Sequence, residues 1–115
     1  MALRFFEVNF YNIFLLNTFP ISKNGITITA RGLIICDGDN VQQLRAYFLA
    51  DGSPEPAPFV DNGGKRVQIF LPFQMMQNWQ EVLRNEKPIY ALFDSDDPRR
   101  SYITTLSEPV GEEES

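Results

Sequence analysis

Apolar and polar residues alternate along the first segment of the chain with the period of a β-strand. One side of the extended chain carries Phe6, Val8, Phe10, Asn12, Phe14 and Leu16, and the other carries Glu7, Asn9 and Tyr11. This pattern predicts one long strand with a bulge near Asn12.

Two turns divide the next part of the chain into a meander. Residues 23–25 tolerate positive φ and start a hairpin, after which 26–36 alternates at first and becomes apolar on both faces from Gly32 onward. The acidic turn 37–40 leads into a further alternating stretch at 44–48. We therefore predict three consecutive antiparallel strands.

A proline-rich segment follows this meander. Residues 51–58 include three prolines, which are incompatible with a helix or a central strand. We predict an exposed loop with local polyproline conformation. A glycine-containing turn at 61–64 then leads into a strand at 65–71, so the loop connects strands and not domains.

One stretch of the chain has helical period. Its apolar residues at spacings of three and four are Met75, Met76, Trp79, Val82 and Leu83. Pro72 suits the first turn of this helix, and Pro88 stops it. The spacing predicts a single amphipathic helix that packs on a sheet through its apolar face.

These elements predict a fold that is α+β and mostly β. A last pair of strands, 89–93 and 102–106, is joined by residues 95–100, which gives the order β-β-β-β-α-β-β. This order excludes a doubly wound parallel sheet and favours a small, strongly curved antiparallel sheet or open barrel of about six strands with one helix. We predict one globular domain at 1–109 and a flexible acidic tail at 110–115.

Aromatic residues are abundant and reactive ones are scarce. The 115 residues include ten phenylalanines and four tyrosines, which suit the pleated surface of strands, but no histidine and one cysteine, Cys36. The absence of histidine removes the side chain that most often transfers protons near neutral pH. A lone cysteine forms no disulfide within the chain, so we expect a cytoplasmic protein.

The charge and the short apolar runs argue against a secreted or membrane-spanning protein. The net charge is −5, and Glu112, Glu113 and Glu114 supply three of the negative charges, which leaves the body nearly neutral. Glu7 and Asn9 interrupt the apolar stretch near the start, so we expect no secretory signal. No apolar run approaches the roughly 20 residues of a membrane span.

Two acidic turns are the candidates for a metal site. One contains Asp37 and Asp39, and the other contains Asp94, Asp96 and Asp97. If the turns met in space, their carboxylates would suit Mg²⁺ or Ca²⁺ in a metal-dependent enzyme or ligand binder. Neither run fits a twelve-residue calcium loop, and aspartates commonly make turns by bonding their own backbone.

Each remaining candidate for a catalytic or phosphate-binding site depends on one residue or one short turn. Glycosidase-type catalysis needs one carboxyl group in an apolar setting, and Glu7 is the candidate because it interrupts an aromatic strand. The alternation of the strand, however, places Glu7 on the solvent face. Cys36 lacks a histidine base and ends an apolar run, so we predict that it packs as a small hydrophobe. Gly63 and Gly64 before Lys65 lack the pattern of a phosphate loop and predict a hairpin turn.

A nucleic-acid-binding small barrel is a further alternative. Basic and aromatic candidates for neighbouring strands and one loop are Arg31, Arg45, Tyr47, Lys65, Arg66, Arg99 and Arg100. An isoelectric point near 4.6 disfavours binding to phosphate backbones.

Protein association is the function that the sequence favours. The aromatic surplus comes without a catalytic set, no cofactor is indicated, and the first strand is suited to pair at a sheet edge with a second copy. Met75, Met76 and Trp79 suit a groove for a partner helix, although their spacing favours packing within the fold. We therefore predict a non-enzymatic protein-binding or structural module that forms a homodimer.

Overall fold

The computed structural model describes residues 3–105 and shows eight strands and one α-helix in that range. The strands are β1 (Leu3–Glu7), β2 (Phe10–Lys23), β3 (Ile26–Asp37), β4 (Gln43–Leu49), β5 (Phe59–Asp61), β6 (Arg66–Pro72), β7 (Tyr90–Asp94) and β8 (Asp97–Thr104). The helix α1 spans Met76–Asn85 and follows a 3₁₀ turn at Phe73–Met75.

The strands form two sheets. The larger has the order β2-β3-β4-β6-β5, and the smaller has the order β1-β7-β8. The α+β, mostly β class and the single amphipathic helix are confirmed, and the strands of the described range do not close into a barrel. The prediction of one antiparallel sheet of about six strands was too simple, because there are two sheets and β4 pairs with β6 in parallel.

The parallel pair results from the proline-rich loop. Gln43 lies opposite Arg66 and Leu49 lies opposite Pro72, so both strands start at the same end of the sheet. The loop at 50–58 and the short antiparallel strand β5 return the chain to that end before β6 begins. A connection between parallel strands needs such a long return path.

The first segment is two strands instead of the predicted one. β1 pairs with β7 in the small sheet, whereas β2 pairs with β3 in the large sheet. Between them, the Val8 amide donates to the carbonyl of Ile89, which directly precedes β7, and the Asn9 amide donates to the carbonyl of Asp37 at the end of β3, so the chain passes here from one sheet to the other. The bulge lies between Leu15 and Phe19, not at Asn12.

The main core lies between the large sheet and a layer made of α1 and the small sheet. Ile34, Leu44 and Phe48 point into it from the large sheet, and Phe93 does so from β7. Trp79 of α1 meets the Phe48 ring edge to face, with 5.9 Å between ring centroids. We call the side of the large sheet that faces this core the inner face.

The helix packs as predicted from its spacing. Met76, Trp79 and Leu83 are buried, and Met75 is 39% exposed because it lies in the 3₁₀ turn that precedes α1. Most of the predicted apolar group therefore belongs to the core and is not free for a partner helix. No helix within residues 3–105 has the length and hydrophobicity that spanning a bilayer requires.

The far half of the β2–β3 hairpin packs against the opposite, outer face of the large sheet. Ile28 and Ala30 are fully buried there in a second cluster that includes Tyr47 and Phe70. The register of β3 against β4 shifts between Ala30 and Gly32, and this bulge changes which side chains face each side.

The C-terminal hairpin is tighter than predicted. β8 begins at Asp97, so the segment expected to be a loop at 95–100 contributes most of its residues to the strand. The proposed end of the domain at 109 and the acidic tail at 110–115 lie outside the described residues.

Candidate functional site

Strand β2 has a free edge and an apolar surface. It is the outermost strand of the large sheet and pairs with β3 on one side only. Its 14 residues carry no charge before Lys23. Five apolar side chains of this strand are exposed, namely Phe10, Tyr11, Phe14, Leu15 and Phe19, and the exposure reaches 72% at Phe10 and 74% at Leu15.

The other sheet edges in the described range differ from β2 in length or charge. β5 is three residues long, and β1 contains a basic and an acidic residue within five. β8 begins with Asp97 and Pro98 and continues with Arg99 and Arg100. Charges, proline and short length are the features by which natural sheets prevent pairing at an edge. β2 lacks them over most of its length.

The part of β2 that is free to pair is residues 10–15. The register with β3 is regular there, and it shifts between Leu15 and Phe19, where Thr18 has a φ of 50°. Pro20 follows the bulge and lacks an amide hydrogen. We call residues 10–15 the edge segment.

The edge segment is apolar on both faces. Tyr11 and Ile13 lie opposite Cys36 and Ile34, so they share the inner face of the sheet. Phe10 and Phe14 lie opposite Asp37 and Leu33 on the outer face. Both sides of an added strand would therefore meet apolar side chains.

An open groove of about 700 Å³ runs between the edge segment and α1. Leu15, Phe73 and Met76 line its apolar part, and Gln80, Glu81 and Arg84 of α1 line its polar part. Leu15 lies opposite Gly32, and a Cβ atom at Gly32 would collide with the Met76 sulfur. The helix thus approaches β3 closely while the neighbouring position on β2 stays uncovered.

The acidic turn at 37–40 is held by one side-chain hydrogen bond from the following strand and one from the segment before β2. The Gln43 amide donates to Asp37 Oδ1 at 2.7 Å, and the Asn9 amide donates to Asp39 Oδ1 at 2.9 Å. Both aspartates therefore fasten the start of β2 and β4 to the end of β3.

The second acidic turn is also locally bonded. Asp94 is buried and accepts the backbone amide of Asp96 at 2.9 Å, as aspartates do in turns. Asp97 pairs with Arg99 at 2.9 Å and with Arg100 at 3.8 Å, and the Arg99 guanidinium lowers its carboxyl pKa. Within residues 3–105, no three cysteine, aspartate or glutamate side chains are grouped closely enough to hold a metal ion.

A polar chain on the outer face joins β2, β5 and β6. Arg66 donates twice to Asp61, at 2.7 and 2.8 Å, and the Gln68 amide donates to Asp61 at 2.9 Å. Lys23 donates to Gln68 Oε1 at 2.8 Å and lies 4.5 Å from the centroid of the Tyr47 ring. Hydrogen bonding from Arg66 is the largest cause that lowers the pKa of Asp61.

The candidates for nucleic-acid binding do not form an exposed stacking surface. Tyr47 is 2% exposed and stacks on Phe70. The Arg31 guanidinium lies over the Phe73 ring at 4.2 Å, and Arg45 donates to Gln43. A base therefore has no access to the Tyr47 ring in this conformation.

Cys36 and Glu7 have the environments that their neighbours in sequence predict. Cys36 is fully buried, and desolvation raises its thiol pKa to about 12, with Asp37 adding to the shift. Such a thiol is not a nucleophile near neutral pH. Glu7 is exposed at the end of β1.

Comparison with known proteins finds no matching family model, no similar curated protein and no similar solved structure. The edge segment was visible in the sequence as a candidate for pairing, but Leu15 and the groove beside it were missed. Alternation alone showed an apolar strand; it gave no sign that α1 would leave one side of that strand uncovered.

Proposed function

We propose that this chain is a non-enzymatic protein-binding module that accepts an extended segment of a protein along the edge segment of β2. The observation that carries the proposal is an uncharged strand edge, exposed on both faces, beside an open groove. We also propose a cytoplasmic location, which the single buried Cys36 supports.

The chemistry of strand addition fits this surface. An edge strand presents unpaired backbone N–H and C=O groups, and an incoming strand satisfies them while its alternate side chains contact the two faces. Phe10 and Phe14 offer contact on the outer face, and Leu15 does so on the inner face. Backbone bonds supply affinity, and these side chains select apolar partners.

The binding test compares two lysine substitutions. Leu15→Lys places a charge in the edge segment, and Tyr102→Lys places the same charge on β8, at a side chain that is 50% exposed. Proteins bound from native extract are expected on the wild-type chain and on Tyr102→Lys, and are expected to be lost from Leu15→Lys. In the reconstituted complex, hydrogen exchange should slow at the amides of residues 10–15.

Two results would contradict the proposal. One is equal retention of the bound protein by both variants, and the other is protection from exchange that maps away from β2. Thermal unfolding with millimolar Mg²⁺, Ca²⁺ or Mn²⁺ separates the metal-dependent alternative, because an ion that binds the native state raises Tm. We expect no such rise.

A further inference from the structure

We infer that the strand received by β2 is the edge segment of a second copy, paired antiparallel about a two-fold axis at Asn12. This inference rests on the proposed function and names the partner at the same site. It joins the two large sheets into one continuous sheet, with β2 of each copy at the centre.

The charge pattern of the edge segment favours a second copy. Residues 10–15 include no acidic or basic side chain, so identical segments meet without repulsion between like charges. Two-fold pairing also uses both free edges at once, so the assembly closes as a dimer.

The register follows from symmetry and from the bulge. In an antiparallel pair related by a two-fold axis, the axis passes midway between one residue and the same residue of the other copy, and every cross-strand pair shares a face of the sheet. An axis at Asn12 places Phe10 opposite Phe14 of the second copy and Tyr11 opposite Ile13 of the second copy. All of these residues precede the bulge that begins after Leu15.

Both faces gain contacts in this register. On the outer face, Phe10 and Phe14 form two cross-strand aromatic pairs, which add to stability beyond their burial. On the inner face, Tyr11 of each copy pairs with Ile13 of the other, and Leu15 lies opposite Asn9 of the second copy, beside the groove that Leu15 lines. The second copy thereby covers the backbone edge and reaches the near side of the groove.

The area is sufficient for a dimer of modest affinity. Covering the exposed parts of the edge segment and the adjoining helix surface in both copies removes roughly 1,000 Å² from water, near the lower bound for specific interfaces. Interfaces at this end of the size range are mostly weak and transient, so we expect a dissociation constant on the order of 1–100 µM.

The closing experiment combines mass measurement with cross-linking of the purified full chain. Sedimentation from about 1 to 500 µM should show a monomer that converts to a dimer, over the range set by the expected affinity. Leu15→Lys should remain monomeric, and Tyr102→Lys should dimerise like the wild type. Circular dichroism and Tm at low concentration should show that both variants are folded.

Cysteine substitution tests the register. Strand partners on the axis have Cα atoms about 4.5–5.5 Å apart, within the range of a disulfide, so Asn12→Cys should form a covalent dimer with oxidised glutathione. The control Phe10→Cys should not, because its two copies would lie about 14 Å apart, four residues along the strand and one strand spacing across. The wild-type chain is a second control, since its Cys36 is buried with a raised pKa.

The outcomes separate the inference from the proposed function. A chain that stays monomeric throughout, or cross-links at Phe10→Cys and not at Asn12→Cys, overturns the second-copy inference. If an extract protein still protects residues 10–15 from exchange, the proposed function survives that result. If the chain stays monomeric and the extract protein also binds Leu15→Lys as well as it binds the wild type, both the second-copy inference and the proposed function are overturned.

Discussion

At the scale of residues, hydrogen bonds between charged and amide side chains hold these side chains in place on the outer face of the large sheet. Gln68 is 4% exposed, yet it bonds to both Asp61 and Lys23, so its burial carries no unsatisfied group. Within residues 3–105, every buried side-chain nitrogen or oxygen has a hydrogen-bond partner. These polar residues hold β2, β5 and β6 together, and this contribution depends on the charge of Asp61.

We expect Asp61→Asn to lower the free energy of unfolding by about 1 kcal/mol at pH 7, since it weakens a partly buried, doubly bonded ion pair with Arg66. The pKa of Asp61 is lower in the folded chain than in the unfolded one, so its contribution is present above the unfolded pKa and is lost as pH falls through the folded pKa. The difference between wild type and variant should therefore shrink below about pH 4.

Urea unfolding at a series of pH values measures this difference. Asp51→Asn is the matched control, because Asp51 is an exposed turn residue, and its effect should be small at every pH. A wild-type advantage over Asp61→Asn that stays constant down to pH 2 would show that the ionised carboxylate is not the source of the stability.

At the scale of elements, α1 is held by one buried side and leaves the other open. Met76 packs over Gly32, and Trp79 packs against Phe48. The helix is only ten residues long, so its stability comes from this packing more than from its own backbone. The position of α1 in turn determines that the groove beside Leu15 is uncovered.

We expect Trp79→Ala to destabilise the fold by about 3–5 kcal/mol, because it removes a large buried ring and leaves a cavity. Met75→Ala, in the preceding turn at 39% exposure, should stay within about 0.5 kcal/mol of the wild type. Equilibrium unfolding in urea compares the two variants. Similar losses in both would mean that the apolar face of the helix is not arranged as described.

At the scale of the whole molecule, the two sheets share one core but have different exposed edges. The small sheet ends in β8, which is charged, whereas the large sheet ends in the uncharged edge segment. Association is therefore expected to be apolar and local to one end of the large sheet.

For the inferred dimer, we expect the dissociation constant to stay constant or to fall when NaCl is raised from about 50 to 500 mM, because the paired segments carry no charge, and Glu81 and Arg84 of α1 lie beside the edge segment and not in it. Each chain carries a net charge of −5, so screening reduces the repulsion between copies. Sedimentation at the two salt concentrations measures this. A tenfold weaker dimer at high salt would point instead to a contact made by charged residues such as Arg99 and Arg100.

The strands and turns of the middle of the chain were predictable from local patterns. The turn at 23–25 has Asn24 at a φ of 50° and Gly25 at 78°, as the residue types indicate. The apolar spacing of α1 identified its buried side. Alternation also pointed to the first apolar strand as a candidate edge, because its side chains exceed what one face of a small core needs.

The division of the first segment into β1 and β2, the parallel pairing of β4 with β6 and the open side of Leu15 were decided by tertiary structure. Each depends on hydrogen bonds or packing between residues far apart in the chain, such as Val8 with Ile89 and Gly32 with Met76. Local periodicity records which side chains avoid water but not which distant surface covers them. The sequence by itself determined the helix, the turns and the apolar strands of the middle of the chain, and long-range pairing determined where the first segment divides and which edge was left free.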